Sequence, residues 1–128
     1  FTSVPGSSEY FLGSVTSYAN SVKTGVLGVS PEIIEKHGAV SSECVAQMAE
    51  GVRRITGSDF SVATSGIAGP GGGSEAKPVG TVWIGVSSIA GTKTYLMTLK
   101  GDRKRNIERF AANALNFLRI TIVNELNV

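Results

Sequence analysis

The residues best suited to chemistry in this sequence lie in one stretch, TSGIAGPGGG, where Thr64 and Ser65 are followed by a long glycine-rich segment. Consecutive glycines let backbone N–H groups converge on an anion, because no Cβ blocks close approach or a positive φ. The two hydroxyls add donors at the end of the preceding predicted strand. The stretch, called here the glycine loop (Gly66 to Pro78), therefore predicts a cradle for a phosphate or another small anion. The alternative is a mobile surface loop with a turn at Gly69-Pro70.

Two familiar phosphate motifs are absent from the glycine loop. The pattern GxxxxGK[ST] does not occur, and no helix follows the loop as a dinucleotide-binding fingerprint requires. In open α/β sheets, however, ligands bind beyond the carboxyl ends of the strands, which is where this loop begins.

Cys44 and His37 are the other reactive side chains, and the sequence holds one of each type. Cys44 falls in the first turn of a predicted helix, where the helix dipole can lower the pKa of a thiol. His37 is its only possible imidazole partner, and it lies seven residues away in a predicted loop. We expect Cys44 to be buried and inert, and one His with one Cys predicts no metal site.

The elements that must position these residues follow from hydrophobic periodicity and capping signals. Strands with interspersed helices predict a layered α/β domain, and the apolar run Val79–Ser88 predicts a strand covered on both faces. Gly91 marks a hairpin, so at least one strand pairs in the antiparallel sense. The predicted elements are, in order, a strand over 11–18, short helices over 21–27 and 31–36, a helix capped by Ser41 and closed by Gly57, strands over 60–65, 79–88 and 93–100, and a helix capped by Asp102 that runs to about Glu125.

Length, charge and composition exclude several classes of function. A chain of 128 residues predicts one domain, and a net charge of +2 is too small to predict a nucleic-acid partner or an anionic membrane. No apolar run approaches the roughly 18 residues that span a bilayer. A single cysteine excludes an internal disulfide. These totals predict a cytoplasmic protein.

Several segments together resemble one family. VPGSSEYFLG, SYANSVKTGVLGV, GAVSSECVAQMAEGVRR, TSGIAGPGGG followed by KPVGTVWIGV, and GDR occur in the order and at the spacing of the C-terminal domain of CinA, the competence/damage-inducible protein. The likeness covers residues 1–128 as one domain. It implies a three-layer α/β/α fold with a mixed sheet. It also implies hydrolysis of nicotinamide mononucleotide to nicotinic acid mononucleotide and ammonia, with no metal and no cofactor.

The resemblance also assigns roles to individual residues. The family uses a serine nucleophile assisted by a lysine and a tyrosine, and the matching residues here are Lys23 and Tyr18. A turn at Asn20-Ser21 would have to fold Lys23 back toward Tyr18, and burial or a cationic neighbour would have to favour its neutral amine. Arg103 is a candidate partner for the phosphate, because a guanidinium matches phosphate oxygens. The resemblance places substrate binding at Ser65 and at the loop residues Gly66, Gly69, Gly71, Gly72 and Gly73, with Thr64 as the alternative contact to Ser65.

The serine itself departs from the family pattern, because its segment AESCTGG does not occur in the sequence. In the family that segment lies upstream, so we expect an N-terminally truncated domain that lacks its first strand and helix. Such a domain should be poorly soluble or form homo-oligomers through its exposed sheet edge. The alternatives left open are a non-catalytic module that binds or senses a phosphate-bearing ligand, and a structural domain fused to a partner enzyme.

Overall fold

A computed structural model describes residues 1–128, and it contains four helices and three strands. A short 3₁₀ turn at Ser7–Glu9 precedes them. No helix combines the length and the apolar character needed to cross a membrane. The elements are α1 (Asn20–Gly25), α2 (Pro31–His37), α3 (Ser42–Thr56), β1 (Phe60–Gly66), β2 (Thr81–Ser88), β3 (Gly91–Thr98) and α4 (Arg103–Leu126).

The three strands form one sheet in the order β1-β2-β3, with β2 at its centre. Both pairings are antiparallel, from Phe60 opposite Ser88 in one ladder to Ser88 opposite Gly91 in the other. The sheet of these residues is therefore antiparallel throughout, where a mixed sheet was expected. The physical reason is connectivity: a parallel pair needs a long crossover, usually a helix, and neither strand connection contains one.

The side chains of β2 alternate between two cores, because successive residues of a strand point to opposite faces. Val82, Ile84 and Val86 pack with the apolar face of α4 in the first core. Trp83 packs with α3 and the segment after α1 in the second core. Helices thus cover both faces of the sheet, which confirms the three-layer α/β/α arrangement. The expectation that β2 is covered on both sides is also confirmed.

Gly85 lets α3 approach the sheet closely. A Cβ at this position would lie 2.6 Å from the backbone oxygen of Val45. Beside it, the buried Ser61 hydroxyl donates to the Ala49 oxygen of α3 at 2.6 Å. The backbones of α3 and the sheet are therefore in direct contact. This contact fixes the position of α3, whose first turn borders the candidate site.

The predicted strand over 11–18 does not form. This segment pairs with no strand, and its side chains at Leu12 and Tyr18 are exposed. A β-favouring pattern becomes a strand only when a neighbour supplies the ladder hydrogen bonds. Within these residues the segment has no such neighbour.

Capping residues define the long helices as expected. The Ser41 hydroxyl accepts a hydrogen bond from the Cys44 N–H at 3.2 Å, and Gly57 ends α3 in the left-handed region with φ of 69°. Asp102 accepts from the Arg105 N–H at 2.9 Å at the start of α4. These caps set where α3 and α4 begin, and both starting points border the site described next.

Candidate functional site

One end of the sheet brings the predicted site residues together. The end of β1, the start of β2 and the first turn of α4 meet there, and Arg103 of α4 joins them to the segment before α1. Its guanidinium donates to the Gly69 oxygen at 2.9 Å and, through its second arm, to the Tyr18 phenol oxygen at 3.4 Å. Three predicted residues that are far apart in sequence are thus in direct contact.

The glycine loop is attached to the fold by hydrogen bonds at both of its ends. The Ile67 N–H donates to the Thr81 oxygen at 2.8 Å, and the Gly80 N–H returns to the Ile67 oxygen at 2.7 Å. From α4, the Asn106 amide donates to the Ala68 oxygen at 3.0 Å. The loop is therefore a built element attached to β2 and α4, which argues against a free spacer.

Five backbone N–H groups in the middle of this loop donate to no acceptor within the chain. We call them the amide cradle; they belong to Ala68, Gly69, Gly71, Gly72 and Gly73. Gly71, Gly72 and Gly73 are exposed, so their donors are open to solvent. Clustered N–H groups without internal partners are the usual donors for anions in proteins.

Gly69 shows why the cradle needs glycine. Its φ is 90°, and a Cβ there would lie 2.5 Å from Cγ1 of Val79. A side chain would therefore carry backbone strain and also displace the returning half of the loop. The pattern of glycines thus serves the shape of the loop as well as access to its amides.

Lys23 is buried, with 6% of its surface exposed. Its Nζ donates to the Ser17 oxygen at 2.7 Å and to the Tyr18 oxygen at 3.4 Å, because the turn into α1 folds the side chain back as expected. The Tyr18 side chain itself is 84% exposed. The lysine thus reaches the backbone of Tyr18, while the phenol faces Arg103.

The Lys23 amine has no carboxylate partner. The one contact between a basic side chain and a carboxylate lies elsewhere, between His37 Nδ1 and Glu43 Oε1 at 3.9 Å. Nor do any three His, Cys, Asp or Glu side chains come together as metal ligands would. The polar contacts of this buried amine are therefore with backbone carbonyl oxygens alone.

Thr64 and Ser65 lie on opposite faces of the sheet. Thr64 pairs with Ile84, whose side chain is in the α4 core, whereas Ser65 pairs with Trp83 on the α3 face. Lys23 lies close enough to Cys44 for its charge to act on the thiol, and Cys44 packs in the same core as Trp83. Of the two hydroxyls, Ser65 therefore shares a face with Lys23 and Thr64 does not.

Asn106 is a site residue that the sequence analysis missed. It is fully buried, and its side-chain amide holds the Ala68 and Gly101 oxygens, each at 3.0 Å, while Oδ1 has no partner. A signal was available: Asn106 stands at the head of the buried stripe of α4 that continues every four residues through Phe110 and Ala114. An asparagine in such a stripe indicates a specific polar contact.

We expect the Cys44 thiol to be unreactive in the folded protein. The side chain is fully buried, and burial raises the pKa of the thiol, an effect that a positive charge on Lys23 partly opposes. Since the thiolate is the reactive form, a disulfide reagent at neutral pH should label Cys44 slowly in the native state and rapidly in urea. Rapid labelling of the native protein would contradict this expectation.

Comparison with known proteins gives one family. The sequence profile described as CinA C-terminal domain matches residues 1–122. A CinA-like protein from Desulfosudis oleivorans is 56% identical over 119 residues, covering 92% of this chain and 29% of that relative. The chain thus spans less than a third of the curated relatives that it matches.

Solved structures agree with the same fold. The competence or damage-inducible protein from Enterobacter asburiae has a TM-score of 0.87 at 33% identity, covering 94% of this chain and 76% of that one. The competence/damage inducible protein CihA from Agrobacterium tumefaciens has a TM-score of 0.86 at 34% identity, covering 95% and 73%.

Proposed function

The chain belongs to the CinA C-terminal domain family, and from that premise we propose that it forms part of an amidohydrolase acting on nicotinamide mononucleotide. The reaction yields nicotinic acid mononucleotide and ammonia. The observation that carries this proposal is the meeting of the amide cradle, Arg103, Tyr18 and the buried amine of Lys23 at one end of the sheet. Such a site offers anion binding and a candidate base side by side.

The proposed chemistry is acyl transfer to a serine supplied by a segment outside these residues. The serine oxygen attacks the carboxamide carbon, and its proton passes to the neutral amine of Lys23. Collapse of the tetrahedral intermediate breaks the C–N bond, and Lys23 returns the proton to the departing ammonia. Water then cleaves the acyl-enzyme, leaving the carboxylate and restoring the serine. Tyr18 orients the attacking oxygen in this scheme.

Substrate binding is assigned to the other half of the site. The exposed N–H groups of the amide cradle, those of Gly71, Gly72 and Gly73, bind the phosphate oxygens, which accept hydrogen bonds strongly because they are charged. Arg103 adds positive charge beside them and keeps the cradle next to Tyr18. Ser65 lies on the face that Lys23 occupies, and we propose that it contacts the substrate between its two ends.

A non-catalytic module that binds a phosphate-bearing ligand is the second candidate. The amide cradle favours this module as much as it favours the enzyme. Free N–H groups indicate anion binding, and they do not indicate whether the bound ligand reacts. The two proposals differ in whether a bound mononucleotide is converted.

A proton NMR time course of nicotinamide mononucleotide with the full-length protein tests both. Conversion to the acid supports the amidohydrolase. Broadening of the ligand signals without conversion supports the binding module. Spectra unchanged in both position and width would contradict both.

Arg103 gives a sharper test of how the substrate is held. Arg103→Lys keeps the charge but cannot reach the Gly69 oxygen and the Tyr18 phenol with one planar group. We expect KM for the mononucleotide to rise by about tenfold, the effect of losing one charge-assisted contact. Steady-state kinetics of the variant measure this rise directly.

Lys104→Ala is the matched control for Arg103, since Lys104 is the next residue of the same helical turn, is exposed and makes no side-chain hydrogen bond. Its KM should remain that of the wild type. An unchanged KM in Arg103→Lys would remove Arg103 from the substrate site.

A further inference from the structure

Lys77 makes the one hydrogen bond between the glycine loop and α2. Its Nζ donates to the His37 oxygen at 2.6 Å, across 40 positions of sequence. His37 is the last residue of α2, so its carbonyl oxygen has no N–H donor within the helix. A lysine cation at a helix C-terminus satisfies such a carbonyl and interacts favourably with the helix dipole.

The backbone past α2 leaves room for this ammonium group. Gly38 follows directly, with φ of 80°, and a Cβ there would lie 3.1 Å from Lys77 Nζ. Glu43, in the first turn of α3, interacts electrostatically with Lys77. The pKa of its carboxyl is lowered mainly by its own backbone hydrogen bond, with smaller contributions from the Ser42 hydroxyl and then from His37 and Lys77.

Lys77 lies one turn beyond the amide cradle. The Ser74 N–H donates to the Lys77 oxygen at 2.9 Å, and the Lys77 N–H donates to the Ser74 hydroxyl at 3.0 Å. This closed turn begins immediately after Gly73. A displacement of Lys77 is therefore passed to the cradle through a single hydrogen-bonded turn.

The cradle is consequently held from two sides. Arg103 and Asn106 of α4 hold the oxygens of Gly69 and Ala68 at its first end. Lys77 holds its second end against α2. The three exposed glycines between these attachments have no hydrogen bonds of their own, so the attachments at the two ends are the hydrogen bonds that hold their N–H groups in place.

We propose that Lys77 is a positioning residue, which fixes the amide cradle against α2 and thereby sets the affinity for the phosphate group of the substrate. This role rests on the proposed function. Because the Lys77 amine is engaged by the His37 carbonyl, it acts through the loop and does not touch the substrate. Its loss should weaken binding and leave the chemical step unchanged.

The test compares Lys77→Met with Lys77→Arg in the full-length protein. Methionine keeps the aliphatic length and removes the donor, so KM for nicotinamide mononucleotide should rise by about tenfold while kcat stays within about twofold. Arginine keeps a cationic donor for the carbonyl and should recover most of the affinity. Lys93→Met, at an exposed lysine of β3, is the control and should behave as the wild type.

A second measurement separates this proposal from the proposed function. Inorganic phosphate is titrated into wild type and Lys77→Met, and the amide NMR shifts of Gly71, Gly72 and Gly73 are followed. Wild-type shifts that saturate, with about tenfold weaker binding in the variant, support the role of Lys77. Equal binding in both proteins, or a fall in kcat with unchanged KM, would overturn it. No shift in the wild type would overturn phosphate binding by the cradle itself.

Discussion

Replacing Lys23 by methionine is expected to abolish amide hydrolysis, lowering kcat by roughly 10²- to 10⁴-fold, the usual contribution of a general acid–base group. The lysine is 6% exposed and has no carboxylate partner, so solvent and neighbouring acids offer no replacement for it. Cys44, a titratable side chain of the neighbouring core, is buried, and burial raises the pKa of its thiol. Initial rates of ammonia release measure the loss.

Lys23→Arg separates a catalytic role from a structural one. Arginine can still donate to the Ser17 and Tyr18 oxygens, but its guanidinium stays protonated and cannot act as a base. We expect this variant to be as inactive as Lys23→Met. Recovery of activity with arginine would mean that Lys23 merely holds the backbone. Lys36→Met, at an exposed lysine of α2, serves as the control.

Gly80→Ala should destabilise the protein by about 3 kcal/mol or more, a value at the severe end for a single substitution. Gly80 has φ of 94°, and a Cβ there would lie 1.7 Å from the Leu99 oxygen. The Leu99 oxygen is a backbone atom and the Cβ position is fixed by the backbone of residue 80, so no side-chain rotation relieves the clash. The Gly80 oxygen also accepts from the Leu99 N–H at 2.8 Å, which keeps the two segments together. Urea unfolding followed by Trp83 fluorescence measures the change.

Gly71→Ala, in the glycine loop that precedes Gly80, is the matched substitution. Gly71 has no positive φ, and a Cβ there would meet nothing within 4 Å. Its free energy of unfolding should stay within about 0.5 kcal/mol of the wild type, as for ordinary surface positions. Equal losses in the two variants would contradict the account given for Gly80.

Local rules predicted most of the elements. Ser41 and Asp102 cap the helices that follow them, and the apolar run that ends at Ser88 forms the central strand. These features depend on neighbours within a few residues, so the sequence carries them directly. The prediction of a strand over 11–18 was wrong because that strand depends on residues that are distant in sequence. Its formation depends on a partner strand, which local pattern does not specify.

The candidate site shows the same division. The glycine loop stands out in the sequence by composition alone, and Arg103, Lys23 and Tyr18 followed from the family resemblance. The partners of Lys77 and Asn106 lie 40 and 38 positions away, and the contacts are with backbone oxygens. A carbonyl has no sequence signature, so such attachments become visible only when the chain is folded.

The alternation of β2 between two cores constrains how this chain can change during evolution. Deleting or inserting one residue in a strand turns every later side chain to the other face. In β2 that change would move Ile84 and Val86 into the space under α3, where Gly85 now allows backbone contact, and would bring Trp83 under α4. Changes in length should therefore accumulate in the connections on either side of β2, while this strand keeps its eight residues.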